Sequence, residues 1–384
     1  MKDRSPLKQI QQLLLCWGKL VFVPEVSILP PMQTYRPRFP AFLAVRIVLA
    51  GLGWLALTAP GRAQVAVASI TTSTSDLSNQ NTNGAAFERT TVAITQFKDT
   101  AGNIYDANTV AGAAYVRRNT TAGNANNSSM WYTDVDGNGK FDATYATTYA
   151  SLLLGNNILR GSDNTFANGT DATSGNIERL DFVFSASGIT SNISTSFAVF
   201  DRGAIGVHDN VKIAVITGWD SVNNVPTSYG GTLVSLDSSN YGNTNLTPDF
   251  AYNLFRYTNG DNLGSPYWND NTETGSQGLG GAIVSMADLG ITAGTTIYGY
   301  SLMAYEVTTG GNMANLVNWN NATYYATNTT NATGTGGIDL SAVNGVLYNR
   351  RVPEPSTYGA VFLGLTATFF GWRRWRRGIS AQTA

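Results

Sequence analysis

Between residues 64 and 350 apolar residues alternate with polar ones in short runs, with little recurrence at every third or fourth position. "TTVAITQF" (90–97) puts Val92 and Ile94 on one side, and "LDFVFS" (180–185) does the same with Leu180, Phe182 and Phe184. The pattern returns in "SFAVF" (196–200), "VKIAVIT" (211–217), "GTLVSL" (231–236), "TIYGYSLMAYEV" (296–307) and "GVLY" (345–348). A period of two sends successive side chains to opposite faces, and these runs are rich in β-branched and aromatic residues, so they predict β-strands. "TNGDNLGSP" (258–266) and "TETGSQGLGG" (272–281) predict turn-rich connections, and 72–84 and 318–337 read as long polar loops. Two stretches allow a helix, "ATTYASLLLGNN" (146–157) and "IVSMADLG" (283–290), the second equally a strand followed by a turn. No composition break divides 64–350. The expected fold class is all-β, a single β-sandwich or jelly-roll-like ectodomain.

The two ends depart from this pattern. From Met32, the expected start, Arg36, Arg38 and Arg46 form a basic region and residues 47–59 an apolar one. Ala63 closes a small-residue cleavage site, so 32–63 has the layout of a secretory signal peptide, with an uncleaved anchor as the alternative. Residues 1–31 fit neither pattern and read as an upstream extension. At the other end, residues 357–372 form an apolar run about 24 Å long as a helix, predicting a short C-terminal transmembrane helix. Arg373, Arg374, Arg376 and Arg377 follow it and are expected to stop at the cytoplasmic face.

Composition sharpens the picture. Charged residues are only 13%, so the surface must be built largely from Asn, Thr, Ser and Gly, which suits an extracellular β-protein. The net charge of −1 hides a segregation: 1–63 carries eight Lys/Arg against two Asp/Glu, 64–350 eleven against 22, and 351–384 five against one. Basic ends suit membrane contact, and an acidic body argues against nucleic-acid binding, which needs clustered Lys and Arg. The one cysteine, Cys16, precedes the cleavage site, so the mature body has no disulfide, thiolate nucleophile or cysteine metal ligand.

Pro353-Glu354-Pro355-Ser356, the short apolar helix and the arginine cluster, in that order over 352–378, resemble the PEP-CTERM sorting signal of Gram-negative bacteria. The resemblance covers about the last thirty residues, and the Gly378–Ala384 tail is longer than its usual abrupt ending. It implies an inner-membrane exosortase-type processing enzyme as partner, Pro353, Glu354 and Pro355 as the recognition element, transient anchoring in the inner membrane, and delivery to the cell surface or extracellular matrix. It implies no activity.

Within the body, "DVDGNGKFD" (134–142) is the strongest motif. Asp134, Asp136, Asn138, the carbonyl of Lys140 and Asp142 fall at positions 1, 3, 5, 7 and 9 of an EF-hand-type loop, with Gly139 at the sharp turn, so a structural Ca²⁺ is expected. The pattern resembles the calcium loops of dockerins. Tyr145 stands where a bidentate carboxylate closes the shell, so a weaker site or an empty Asp/Gly turn remain the alternatives. His208 is the only histidine, which excludes multi-histidine zinc sites; it reads as a loop residue, with a Ser–His–Asp arrangement the alternative. "GLGG" (278–281) lacks the third glycine of a dinucleotide fingerprint. No catalytic motif is present, and no pair among the body carboxylates is marked out for glycoside hydrolysis. Trp131, Tyr132, Trp219, Tyr229, Tyr241, Tyr257, Tyr267, Trp268, Trp319, Tyr324 and Tyr325 lie mainly beside polar loops, either capping the core or stacking on sugars. Sequons such as Asn119 and Asn168 read as an Asn/Thr-rich surface. The expected function is a non-enzymatic, structural or adhesive surface protein in contact with extracellular polysaccharide; the alternative is a secreted carbohydrate-active hydrolase.

Overall fold

The computed structural model describes residues 64–73, 91–120, 127–132, 148–169, 175–204, 206–244, 252–257, 267–273, 277–352 and 355–381. Two strands organise the body. β9 (Thr195–Ala204) and β16 (Gln277–Ser285) pair antiparallel along their length, from Gln277↔Ala204 to Ser285↔Ser196. Both have apolar residues at consecutive positions, the pattern of strands covered on both faces. Phe197 and Val199 enter one core while Ala198 and Phe200 enter another; on β16, Ala282 and Val284 join the first and Ile283 the second.

The second core is the inside of a barrel. β16 pairs with β1 (Val65–Thr72), which pairs with β2 (Ile94–Asp99), then β3 (Ile104–Val110), β20 (Val346–Arg350) and back to β9. Six antiparallel strands therefore close into a ring, which removes free edges. β13 (Gly242–Asn243) pairs with β16 next to the β1 pairing and packs on β1, where a Cβ on Gly242 would lie 2.1 Å from the Val67 carbonyl oxygen. Phe97 fills the interior, stacked on Tyr105 at 4.8 Å and edge-on to Tyr348 at 4.7 Å, with Val67, Ile94 and Phe200 around it. Gly281 is required by this packing: a Cβ there would lie 2.8 Å from both the Phe200 ring and the Val67 side chain.

The first core lies between the barrel wall and a second sheet. That sheet runs β11 (Val225–Tyr229), β10 (Val211–Asp220), β18 (Gly299–Met303), β7 (Ile177–Val183), β4 (Ala113–Arg118), with β12 (Val234–Leu236) also on β10. Leu180, Phe182, Ile213, Val215 and Leu302 share one cluster with Phe197 and Val199. A third sheet runs β15 (Tyr267–Glu273), β14 (Tyr252–Tyr257), β5 (Ser128–Tyr132), β6 (Asn157–Ser162), β19 (Ser341–Ala342), and β8 (Ile189–Thr190) pairs with β17 (Thr296–Ile297). The body is thus mostly β, as the alternation predicts. The expected simple sandwich is modified, because one layer is the wall of a closed barrel. A period of two assigns faces, whereas closure depends on which distant edges meet.

Three local readings are settled by geometry. The possible helix at 146–157 shrinks to one turn, α1 (Tyr149–Leu152), capped by Thr148, whose side chain accepts the Ser151 N–H. "IVSMADLG" is the end of β16 and a turn, clasped by Asp288 Oδ2, which accepts the Ser285 N–H at 2.9 Å and its hydroxyl at 2.6 Å. The glycine run 278–281, expected in a connection, lies inside β16.

After β20, Arg351 ties the chain to β3: its N–H donates to the Ile104 carbonyl at 2.8 Å and its guanidinium grips Asp106 at 2.6 and 2.7 Å. Val352 is exposed, and α2 (Pro355–Ala381) comes next with Val361, Phe362, Leu363, Leu365, Phe369, Phe370 and Trp372 exposed. The segment expected to span a membrane, 357–372, is helical. However, no helix among the described residues is long and apolar enough to cross a membrane. Gly359, Gly364, Thr366, Thr368 and Gly371 dilute the apolar run, and Arg373 ends it. The signal peptide 32–63 and the extension 1–31 lie outside the described residues.

Removing the barrel's central ring should be costly where removing a helix ring is not. Phe97→Ala is expected to lower stability by about 3–5 kcal/mol, whereas Phe369→Ala on α2 should change it by less than about 0.5 kcal/mol. Urea midpoints of the two variants against the parent chain check this.

Candidate functional site

The densest group of ionisable side chains forms where β9 leaves the barrel wall. Asp201 is buried on β9, and a turn closed by the Val207 N–H donating to the Ala204 carbonyl at 2.8 Å brings the chain back. The returning segment delivers His208, whose Nδ1 lies 3.2 Å from Asp201 Oδ2, and the Asp209 N–H, which donates to the same oxygen at 2.9 Å. The other oxygen, Oδ1, accepts the Asp339 N–H at 2.9 Å. His208 is only 2% exposed, so the expected loop histidine is a buried partner of Asp201.

The glycines make room for that imidazole. A Cβ on Gly280 would lie 2.4 Å from the His208 ring, and one on Gly203 would come within 3.4 Å of Nδ1. The "GLGG" run is therefore a seat for an imidazole and for Phe200, with no helix N-terminus of the kind that cradles phosphate. The Tyr241 ring covers His208 at 5.4 Å.

Two more carboxyls come from the third sheet. Asn164, held at φ 44°, donates its backbone N–H to Asp339 Oδ1 at 2.8 Å and its side-chain amide to Asp163 Oδ1 at 3.1 Å. Ser129 Oγ donates to Asp163 Oδ2 at 2.7 Å. Asp163, Asp201, Asp209 and Asp339 thus form one electrostatically connected group. Burial, then the Asp201 charge, pushes Asp209 up to about 7. Burial, then Asp163 and Asp201, pushes Asp339 well above the carboxylate range. Asp209 is thereby placed to hold or release a proton near neutrality. Among the described residues no group of three or more His, Cys, Asp or Glu is arranged to hold a metal ion.

A contrasting cluster lies on the second sheet. Asp181 Oδ1 accepts Arg179 Nε at 2.7 Å and Ser301 Oγ at 2.6 Å, while Oδ2 accepts Arg117 Nε at 2.6 Å. Burial opposes ionisation of Asp181, but the two arginines outweigh it and hold the carboxyl below its usual range. Trp319 lies between the guanidiniums of Arg117 and Arg179, at 5.1 and 5.0 Å. Its Nε1 donates to the Arg118 carbonyl at 3.0 Å. This is a satisfied structural network.

Glu178 is the opposite case. It sits at a bulge in β7, where Arg118 faces Ile177 and Arg117 faces Arg179, and it is fully buried. Neither oxygen makes a well-formed hydrogen bond to the described residues. Burial pushes the carboxyl up to about 8, and the neighbouring amides of Asn119 and Asn168 only partly offset this. Those two asparagines, expected on the surface as sequons, are themselves buried.

The remaining expectations divide. Trp131, Tyr229, Tyr241 and Tyr325 are core residues, and Trp319 is clamped as described. Trp219 is half-buried and packs at 5.4 Å on Tyr115, whose hydroxyl donates to Asn224 Oδ1 at 3.0 Å. The side chains of Tyr132, Tyr257, Tyr267 and Trp268 lie outside the described residues, as does the whole calcium-loop set Asp134, Asp136, Asn138, Lys140 and Asp142. Pro353 and Glu354 also lie outside them; Pro355 opens α2, Arg373 and Arg374 are exposed on it, and Arg376 and Arg377 belong to it. No family model, curated protein or solved structure matches this chain.

Glu178 sets a sign for the pH dependence. The folded chain keeps its proton up to about 8, whereas the free carboxyl loses it near 4.5, so unfolding releases a proton between these values. This contribution to stability is fully present below pH 4.5 and is lost as pH rises toward 8, with a limiting slope of about 1.4 kcal/mol per pH unit. Glu178→Gln is expected to flatten the decline by up to that slope, measured as urea stability across the interval.

Proposed function

We propose that the chain is an exported cell-surface or extracellular-matrix protein of a Gram-negative bacterium, sorted by an exosortase-type enzyme. Its body has a structural or adhesive role in contact with extracellular polysaccharide. The observation that carries this reading is the order of features after Arg351. Arg351 is tied to Ile104 and Asp106, Val352 is exposed, and Pro355 starts a helix whose large apolar residues from Val361 to Trp372 are exposed up to Arg373 and Arg374. Such a layout supports a motif presented clear of the barrel on a helix that engages the inner membrane transiently, with its arginines at the headgroups. The uncharged surface and acidic body support an extracellular setting away from nucleic acid.

Fractionation of the native host tests the address. The parent chain is expected at the surface with its C-terminus trimmed by mass spectrometry, and Glu354→Ala is expected to stay untrimmed in the membrane fraction. Finding the parent chain soluble in the cytosol with both termini intact overturns the reading.

The loop 134–142 is proposed to hold a structural Ca²⁺ through Asp134, Asp136, Asn138, the Lys140 carbonyl and Asp142. Saturating Ca²⁺ should then raise Tm by mass action on the folded state. The shift should vanish in the double variant Asp134→Ala, Asp136→Ala; an unchanged shift places any bound ion elsewhere.

The carboxylate group beside His208 favours a second reading, a secreted carbohydrate-active hydrolase. Asp209 is half-buried and poised near 7 beside other carboxyls, the environment a general acid requires. Polysaccharide turnover that disappears in Asp209→Asn with Tm retained would select this reading over the adhesive one.

A further inference from the structure

A cleft of about 320 Å³ opens on the second sheet, between β10, the β11–β12 connection and the segment after β18. Lys212 on β10 is the only charged residue in its lining among the described residues. The strand register places Ser235 of β12 directly opposite Lys212, so the ammonium and the hydroxyl rise from one face. Thr232 and Thr309 add hydroxyls from the two walls, and Leu233 and Met313 give apolar patches. Thr232 and Ser235 are exposed, so the cleft is open to solvent.

Lys212 is only partly satisfied. Its Nζ donates to the Val307 carbonyl at 2.7 Å and lies 5.1 Å above the Tyr305 ring. An ammonium has three N–H donors, and among the described residues one goes to this carbonyl, which leaves donor capacity for a ligand. Burial favours the neutral form, against which the nearby Glu306 charge helps keep the proton. A half-desolvated cation with spare donors gains most from an anion that brings its own hydrogen-bonding oxygens. Hydroxyls and apolar patches around the cation match a sugar ring better than a bare anion, and the volume lies in the usual range of small-ligand sites.

We propose that this cleft binds a hexuronate ring of an acidic polysaccharide. Lys212 takes the carboxylate, and the hydroxyls of Thr232, Ser235 and Thr309 take ring hydroxyls. The proposal rests on the polysaccharide-contact part of the functional reading and names the sugar class. The body's excess of carboxylates repels a polyanion at long range, so recognition is local and weak for each ring, and moderate salt strengthens it by screening that repulsion.

The test titrates the purified full-length chain in detergent with glucuronate, short oligoglucuronates, glucose, acetate and sulfate, followed by calorimetry. Glucuronate and its oligomers are expected to bind more tightly than glucose, acetate or sulfate. Lys212→Met should weaken glucuronate roughly tenfold or more with Tm retained. Thr232→Val, at an exposed position, should weaken glucuronate but not acetate, which keeps the proposal testable if Lys212→Met misfolds. Equal binding of acetate or sulfate, binding of the monomer but not the oligomers, or full affinity in both variants overturns it. A chain that reaches the surface yet fails this titration sinks the cleft proposal alone, whereas a chain that binds glucuronate but remains in the cytosol sinks the functional reading alone.

Discussion

β9 is shared by two cores, and that double burial constrains the rest of the body. Phe197 and Val199 point one way and Ala198 and Phe200 the other, so a register slip of one residue against β16 would exchange both sets at once. Shared burial also explains why glycines occupy β16 where the barrel is tightest. Gly281 yields space to Val67 and Phe200, and Gly280 to His208. Further along β9, the same wall that organises the cores delivers Asp201 to the polar cluster. The apolar packing and the chemistry of the candidate site therefore depend on one strand pairing.

The body handles its buried charges in two ways. Asp181 is surrounded by donors from Arg117, Arg179 and Ser301, and the pair attraction outweighs the loss of water. For Glu178, Asp209 and Asp339 no arginine or lysine among the described residues offsets the loss of water, and burial dominates each of them. These groups lower the cost of burial by keeping a proton, so their contribution to stability is lost as pH rises, whereas that of Asp181 is lost as pH falls. Near neutrality Asp209 is the most adaptable of them, because its half-buried position lets the proton exchange with solvent.

Much of the fold is legible in alternation. Leu180, Phe182 and Phe184 do share one face, and Val92 and Ile94 another core, as their spacing implies. Closure of the barrel is not legible, because the pairing of Val65 with Ile283 joins residues far apart in sequence. The glycine run in β16 reads locally as a turn for a related reason. Its glycines answer to the His208 and Phe200 rings across the pairing, and a local window sees only flexibility. His208 can be singled out as unique, but its partner Asp201 and the distant Asp339 cannot. A usable signal is present: Asp201 and His208 flank Gly203 and Gly206, the residues of a tight return.

The terminal segment and the body obey opposite rules. In the body most large apolar residues are covered; along α2, Val361, Phe362, Leu363, Leu365, Phe369, Phe370 and Trp372 are exposed, spread over about 200° of the helix circumference. So broad an apolar arc is wider than the one stripe a flat protein surface buries and suits a surrounding apolar medium better, with Ala360, Gly364, Ala367, Thr368 and Gly371 on the remaining side. The arginines at its end limit how far it can enter such a medium, and the run before them is too diluted for a crossing. The bidentate Arg351–Asp106 contact, exposed and therefore worth little energy, ties the chain ahead of this helix to β3. The tie to the barrel therefore rests less on this ion pair than on the main-chain bond from Arg351 to Ile104 and on the pairing of β20 with β3 behind it.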